Sequence, residues 1–237
     1  MNGFSSLYRR HRFPGEIINY CVWLYYRFSL SYRDIEELMA QRGVRVSHET
    51  IRRWCLKFGQ TIADELHRRR PRLGDKWHLD EVYLKINGRT HFLWRAADQE
   101  GIVLDILGQS RRNKEAAIRF LRRLLGRMHY APRVIIVTDK LKSYGAAIKE
   151  LEIQVDHCQH KGLNNRAGNS HQPTRQRERA MRRFKSQEQA QRFLAPFGLI
   201  GGHFRVGRHR LKAEHYRQEM AQRFQTWREV SSLASCA

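Results

Sequence analysis

Two aspartates carry the clearest chemical signal in the chain. Asp80 lies in WHLDEVYLKING, residues 77–88, where Val82, Leu84 and Ile86 alternate with Glu81, Tyr83 and Lys85. A period of two predicts a strand with one apolar and one wet face, and Asn87-Gly88 predicts a tight hairpin after it. Asp80 falls in phase with the apolar set. A carboxylate directed at a core has to be neutralised, paired or bound to a cation, because burying it bare costs several kcal/mol. Asp80 therefore reads as one leg of a metal site. Asp139 stands just past Val134-Ile135-Ile136-Val137, an apolar run expected of a central strand covered on both faces. Ligands gather at the carboxyl ends of such strands, which places Asp139 well for chemistry. Taken alone, Asp139 is equally well explained as the N-cap of a helix over Leu141 to Leu151.

These carboxylates need elements to hold them. After the Asp80 strand, His91 to Ala97 and Ile102 to Leu107 read as two more strands, separated by the turn composition Asp98-Gln99-Glu100-Gly101. A helix is expected from about Asn113 to Met128. Ala116, Ala117, Phe120, Leu121, Leu124 and Leu125 lie on one side, with Arg111, Arg112, Lys114, Arg119, Arg122 and Arg123 mostly opposite. A short strand over Ile153 to Asp156 and a long basic helix from about Ser170 to Phe197 follow. Three strands, helix, strand, helix, strand, helix is an α/β class with an α+β mixed sheet.

Upstream the periodicity is helical. Pro14 opens a segment whose apolar residues Ile17, Ile18, Cys21, Val22, Leu24, Tyr25 and Phe28 cover much of a helix. Ser31 is a good N-cap for a second helix, with Asp34 at the capping-box position and Gly43 as the stop. Ser47 caps a third, expected to run to about Gly59, with Ile51, Trp54, Cys55 and Phe58 inward. Two capped helices joined by a short Gly-bearing turn form a helix-turn-helix pattern. His48, Thr50, Arg52, Arg53 and Lys57 are then candidate base-edge or phosphate contacts, against the alternative of a solvated bundle face. Arg68-Arg69-Arg70-Pro71-Arg72 and Gly74 mark the change to strand periodicity.

Charge points to the partner. Of 237 residues, 45 are Lys or Arg and 23 Asp or Glu, a formal charge of +22 that calls for a polyanion, by default nucleic acid. The longest apolar run, Ile17 to Leu30, is interrupted by Asn19, Arg27 and Ser29, so no membrane span is expected. Cys21, Cys55, Cys158 and Cys236 lack C-x-x-C spacing, which argues against a disulfide framework and a cysteine zinc site. His157, Cys158 and His160 lie close together, but a strand would splay adjacent residues to opposite faces.

The order of elements, with one Asp on the first strand and one after the fourth, resembles the ribonuclease H-like core of transposases and integrases. More narrowly, WHLDEVYLKINGR, VTDKLKSYGAA, QHKGLNNRA and NSHQPTRQRERAMRRFKS look like the bacterial transposases of the insertion sequence six family, from the helix-turn-helix to about Trp227. The resemblance implies a site of two Asp and one Glu holding two Mg²⁺ ions, for DNA strand cleavage and transfer. Its first two carboxylates fall on Asp80 and Asp139. It also implies double-stranded DNA partners (element ends and target), a homodimer that brings two ends together, no membrane, and a cytoplasmic, nucleoid-associated setting.

At the third position the chain departs from that pattern. Gly168 stands before Asn169 where the family carries Glu, and glycine offers no ligand oxygen. Glu178 lies ten residues further on. On a helix that is roughly 15 Å, too far for ions about 4 Å apart, so an ion pair among Arg175, Arg177, Arg179 and Arg182 is its plainer reading. His171, Arg175, Arg179, Arg182, Arg183 and Lys185 are expected on a DNA-facing side, with Lys140 and Lys142 near the second Asp. Asn164, Asn165, Asn169 and His171 either reach phosphates or cap turns. The expected organisation is a helix-turn-helix domain over 1–62, a basic linker over 63–75, a catalytic core over 76–198 and a basic helical tail over 199–237. Two functions follow: a transposase impaired by Gly168, or a sequence-specific DNA-binding protein without catalysis.

Overall fold

The computed structural model describes residues 7–69, 75–99, 103–128, 132–137, 142–159, 172–181, 184–206 and 211–233. Two compact units divide the chain: Met1–Arg70 with Pro196–Ala237, and Pro71–Ala195.

The first unit is helical. α1 (Gly15–Arg27), α2 (Tyr32–Gln41) and α3 (His48–Arg68) bury Ile18, Cys21, Val22, Ile35, Ile51, Cys55 and Phe58 against one another. The cap residues act as their types predict. The Ser31 hydroxyl accepts from the Asp34 amide at 3.1 Å and the Asp34 carboxylate accepts from the Ser31 amide at 2.7 Å, so Asp completes the capping box. Ser47 accepts from the Thr50 amide at 3.3 Å, and Gly43 ends the turn after α2 at φ +77°.

α3 differs from expectation by continuing past Gly59 to Arg68. Gly59 is a packing notch and not a stop: a Cβ there would meet the Tyr26 hydroxyl at 2.5 Å, and that hydroxyl donates to the Cys55 carbonyl at 3.1 Å. The residues expected as a helical tail over 199–237 group with this first unit. The helix α8 (Ala213–Leu233) belongs to this unit, where Phe204 and Phe224 meet Trp23 and each other, and Trp227 meets Phe204, at ring distances of 5.0–6.0 Å. Asn19 donates to the Ser231 hydroxyl at 2.6 Å, and Arg69 to Glu229 at 3.2 Å. These contacts join residues more than 150 apart in the chain, which no local pattern announces.

The second unit is a five-stranded mixed sheet in the order β3-β2-β1-β4-β5, from β1 (Lys76–Ile86), β2 (Arg89–Asp98), β3 (Val103–Gln109), β4 (Val134–Val137) and β5 (Asp156–Gln159). β1, β2 and β3 form an antiparallel meander, while β4 and β5 run parallel to β1. Asn87 and Gly88, at φ 49° and 77°, make the two-residue hairpin. α4 (Lys114–Met128) and α5 (Lys142–Glu150) supply the parallel crossovers. Strand order and directions are those of a ribonuclease H-like core.

Two expected elements shift. β5 begins at Asp156, where its ladder with Val134 starts, while Ile153 and Val155 pack on the core from the preceding loop. The single helix expected over 170–197 is two, α6 (Gln172–Ala180) and α7 (Gln187–His203). Between them Phe184 turns inward near Phe193, and Ser186 caps the new helix by accepting from the Gln189 amide at 3.0 Å. α7 also closes the edge of β3. Gln191 accepts from the Gly108 amide at 2.7 Å and donates to the Ile106 carbonyl at 2.8 Å, and Gln187 donates to the Gly108 carbonyl at 2.7 Å.

The face of β1 expected to be wet is only half so. Trp77 and Leu79 are buried with Trp94, Phe120, Leu121 and Tyr144, and exposure begins at Tyr83 and Lys85. Helix cover ends partway along the strand, so alternation holds only beyond it. No helix among the described residues is long and apolar enough to cross a membrane.

Candidate active site

Asp80 sits on the central strand, 6% exposed and in phase with buried Val82, Leu84 and Ile86, as its register predicts. Among the described residues the β1–β4 ladder runs as far as Leu79 opposite Val137, and Asp80 is the next residue of β1. Asp139 follows Val137 by two residues and lies outside the described residues, as do Lys140, Asn164, Asn165, Gly168, Asn169 and His171. β4, the strand that precedes Asp139 in the sequence, runs parallel to β1 and pairs with it up to Leu79 among the described residues.

Directly opposite Asp80 across the hairpin stands Arg95, a 3% exposed guanidinium. Burial lowers its pKa and the Asp80 carboxylate pulls it back up. Sequence reasoning missed Arg95, yet the signal was present. Equal steps back and forward from the Asn87-Gly88 turn pair Asp80 with Arg95.

Glu81, the next residue, faces the other way. Its side chain is 1% exposed and accepts from Arg112 Nη2 at 3.1 Å and Nε at 3.4 Å. Burial pushes the Glu81 carboxyl above its ordinary range, against the pull of the Tyr144 hydroxyl and the Arg112 guanidinium. Tyr144, the third residue of α5, is raised by burial and by Glu81. Glu81 thus couples the strand that carries Asp80 to the helix that follows Asp139.

Glu178 lies half-buried on α6, at helical spacings of four and one from buried Thr174 and Arg177. Arg177 is buried, 1% exposed, with its guanidinium 5.4 Å from the Phe193 ring centroid. Arg179 and Lys185 are exposed; the side chains of Arg175, Arg182 and Arg183 lie outside the described residues. Lys142, the first residue of α5, is exposed.

Several other basic residues are already engaged. Arg123 and Arg127 donate to buried Asp105 at 2.7 and 3.2 Å, and Arg119 donates to Gln109 at 2.9 Å, so this row fastens α4 to β3. In the helix-turn-helix, His48 lies 3.1 Å from Glu36 and Thr50 shares the Ser47 cap at 2.9 Å. Arg52 forks onto Glu49 at 2.7 and 2.8 Å, with Arg53 at 3.4 Å, which holds the Glu49 carboxyl down at about 2. Arg52, Arg53 and Lys57 are exposed on α3.

Among the described residues no group of three or more His, Cys, Asp or Glu gathers as a metal cage. His157 and exposed Cys158 alternate along β5. The donor chemistry still suits a divalent ion at Asp80: a nearly buried carboxylate oxygen, one strand from the end that leads to Asp139.

A family model described as a DDE domain matches residues 74–206, a span that includes Asp80, Asp139 and Gly168. The transposase for insertion sequence-like element IS431mec of Staphylococcus aureus is 35% identical over 165 residues, covering 68% of this chain and 73% of that protein. The transposase for insertion sequence element IS257 in transposon Tn4003, also from Staphylococcus aureus, matches with the same identity and coverage. Among solved structures, the intasome of simian T-cell lymphotropic virus in complex with PP2A regulatory subunit B56 gamma is similar with a TM-score of 0.40 and 16% identity, over 55% of this chain and 50% of that one.

Proposed function

The chain belongs to the bacterial DDE-domain transposases of the insertion sequence six family, and we propose that it binds the terminal repeats of an insertion sequence and carries an impaired strand-transfer site. The observation that carries this reading is Asp80: a buried carboxylate on the central strand, inside the matched domain, paired on one side with β4, the strand that precedes Asp139 in the sequence.

Asp80 and Asp139 would hold Mg²⁺ through hard oxygen ligands. When bound, the ion supplies Lewis acidity at the scissile phosphodiester. The chain's own residues do the rest. Arg95 offsets the Asp80 charge and keeps it from collapsing the fold when no cation is present. Glu81, through Arg112 and Tyr144, fixes the strand and helix that flank the two aspartates. Arg52, Arg53 and Lys57 face double-stranded DNA from α3, and Arg179, Lys185 and Lys142 add phosphate contacts beside the core. The functional form is a homodimer, since joining needs two element ends, and the setting is the cytoplasmic nucleoid.

Gly168 supports a second reading, a sequence-specific DNA-binding protein without catalysis, because it withdraws the third carboxylate and with it the second ion. A strand-transfer assay on terminal-repeat DNA in Mg²⁺ or Mn²⁺, comparing this chain with Gly168→Glu, separates the two. The expected outcome is joining by the Glu variant well above the starting chain. Equal joining by both would refute the impairment, and no joining by either would favour the DNA-binding reading.

A further inference from the structure

We propose that Tyr83 is a stacking site for an unpaired base of the DNA strand that passes the active site. This rests on the transposase reading and adds to it a contact to a base on the outer half of the sheet.

Tyr83 is the large hydrophobic residue left exposed in the second unit among the described residues, 55% accessible on a strand whose inner half is sealed. Its ring is held and not loose. Phe92, its cross-strand neighbour, meets it edge-on at 5.4 Å, and the Arg112 guanidinium lies 5.7 Å from its centroid. Arg112 is anchored in turn by the buried Glu81 carboxylate. A buried acid, a guanidinium and an aromatic ring thus form a chain that orients an open π-surface. Such planes accept any base, because every base has a π-face, but only a base free of its duplex partner can reach one.

The surroundings select a nucleic acid over a protein. Lys85 and Thr90 are exposed on the same face, one cross-strand pair beyond Tyr83, and exposed Arg111 adjoins Arg112. Cationic and hydroxyl donors around an aromatic plane suit a base with its phosphates, and in a chain of net charge +22 they oppose self-association through this patch. Position supplies the link to the reaction. Tyr83 is three residues along β1 from Asp80, about 10 Å at 3.3 Å per residue, or about three base steps. The two side chains lie on opposite faces. Both stand on the half of β1 past Leu79, the last residue that pairs with a described residue of β4.

The test uses the full chain without divalent metal and two fluorescent probes of one terminal-repeat sequence, a blunt duplex and a duplex with a three-nucleotide 3′ overhang carrying 2-aminopurine. Anisotropy gives the affinities and 2-aminopurine quenching reports stacking. Tyr83→Ala should weaken the overhang probe by about tenfold or more and abolish the quenching, with blunt-duplex affinity unchanged. Tyr83→Phe and Tyr83→Trp should retain both within about twofold. An unchanged overhang affinity in Tyr83→Ala, or an equal loss on both probes, would overturn the stacking site while leaving DNA binding intact. A shift in sedimentation on Tyr83→Ala would overturn it in favour of contact between copies. If the unaltered chain bound neither probe, the DNA-binding reading itself would fall, and the stacking site with it.

Discussion

Asp80 and Glu81 are adjacent, both acidic and both buried, yet they belong to different environments because a strand sends neighbours to opposite faces. Glu81 enters a closed setting: Arg112 in hydrogen-bonding contact, Tyr144 beside it, and α4 and α5 packed around them. Asp80 has a buried guanidinium opposite it on β2 and stands one residue past the last β1–β4 pair among the described residues. The contrast teaches that burial alone does not mark a catalytic acid. What distinguishes Asp80 is its buried guanidinium neighbour and its place next to the strand that leads in sequence to Asp139, inside the matched domain.

The largest effect should come from removing that distinction. In the Gly168→Glu background, Asp80→Asn should lower strand transfer by about a thousandfold or more, about 4 kcal/mol on the barrier, since an amide is a poor ligand for a hard ion. Circular dichroism should show the fold retained. If joining persisted and only stability dropped, Asp80 would be a structural counter-charge to Arg95, and the contrast with Glu81 would collapse.

Much of this was legible before any coordinates. The phase of Asp80, the Asn87-Gly88 hairpin, the Ser31 capping box and the Ser47 cap all depend on neighbours within a few residues, and all appear as expected. Glu81 was misread as wet because its burial depends on how far α4 and α5 extend over β1, a length set by packing and not by the strand's own pattern. Gly59 was misread as a helix end because Tyr26, thirty-three residues earlier, supplies the reason for glycine there. Phe204 and Phe224 pack on Trp23, about two hundred positions earlier in the chain, which no local pattern announces. The turn-counting rule that pairs Asp80 with Arg95 was available, and using it would have identified the counter-charge.

The next effect in size tests the closed setting. Glu81→Ala should destabilise the core unit by about 2–3 kcal/mol in urea unfolding, because Arg112 and Tyr144 lose the group between them. The figure sits below that of a fully buried pair because about a quarter of Arg112 remains exposed and can rehydrate. Duplex binding through α3 should be unchanged. A loss of strand transfer with no loss of stability would move Glu81 into the reaction and erase its difference from Asp80.

The smallest effect is also the sharpest in sign. Burial raises the Glu81 pKa above its ordinary value of 4.5, so the folded chain holds that proton more tightly than the unfolded one. Stability contributed by the protonated acid is complete below about pH 4.5 and is lost as pH climbs through the raised folded value. Glu81→Gln imitates the protonated acid in shape and charge and does not titrate. The stability of the parent relative to Glu81→Gln should therefore fall as pH rises from 4.5 toward neutrality and level off once Glu81 is fully ionised. Urea unfolding of both proteins at half-unit pH steps measures this difference and cancels the titration of every shared group. A parent that gains stability over Glu81→Gln across that window would mean that Arg112 outweighs burial, so that Glu81 is an ionised partner at all working pH. The two neighbouring acids would then differ in what holds their charge and not in whether they carry it.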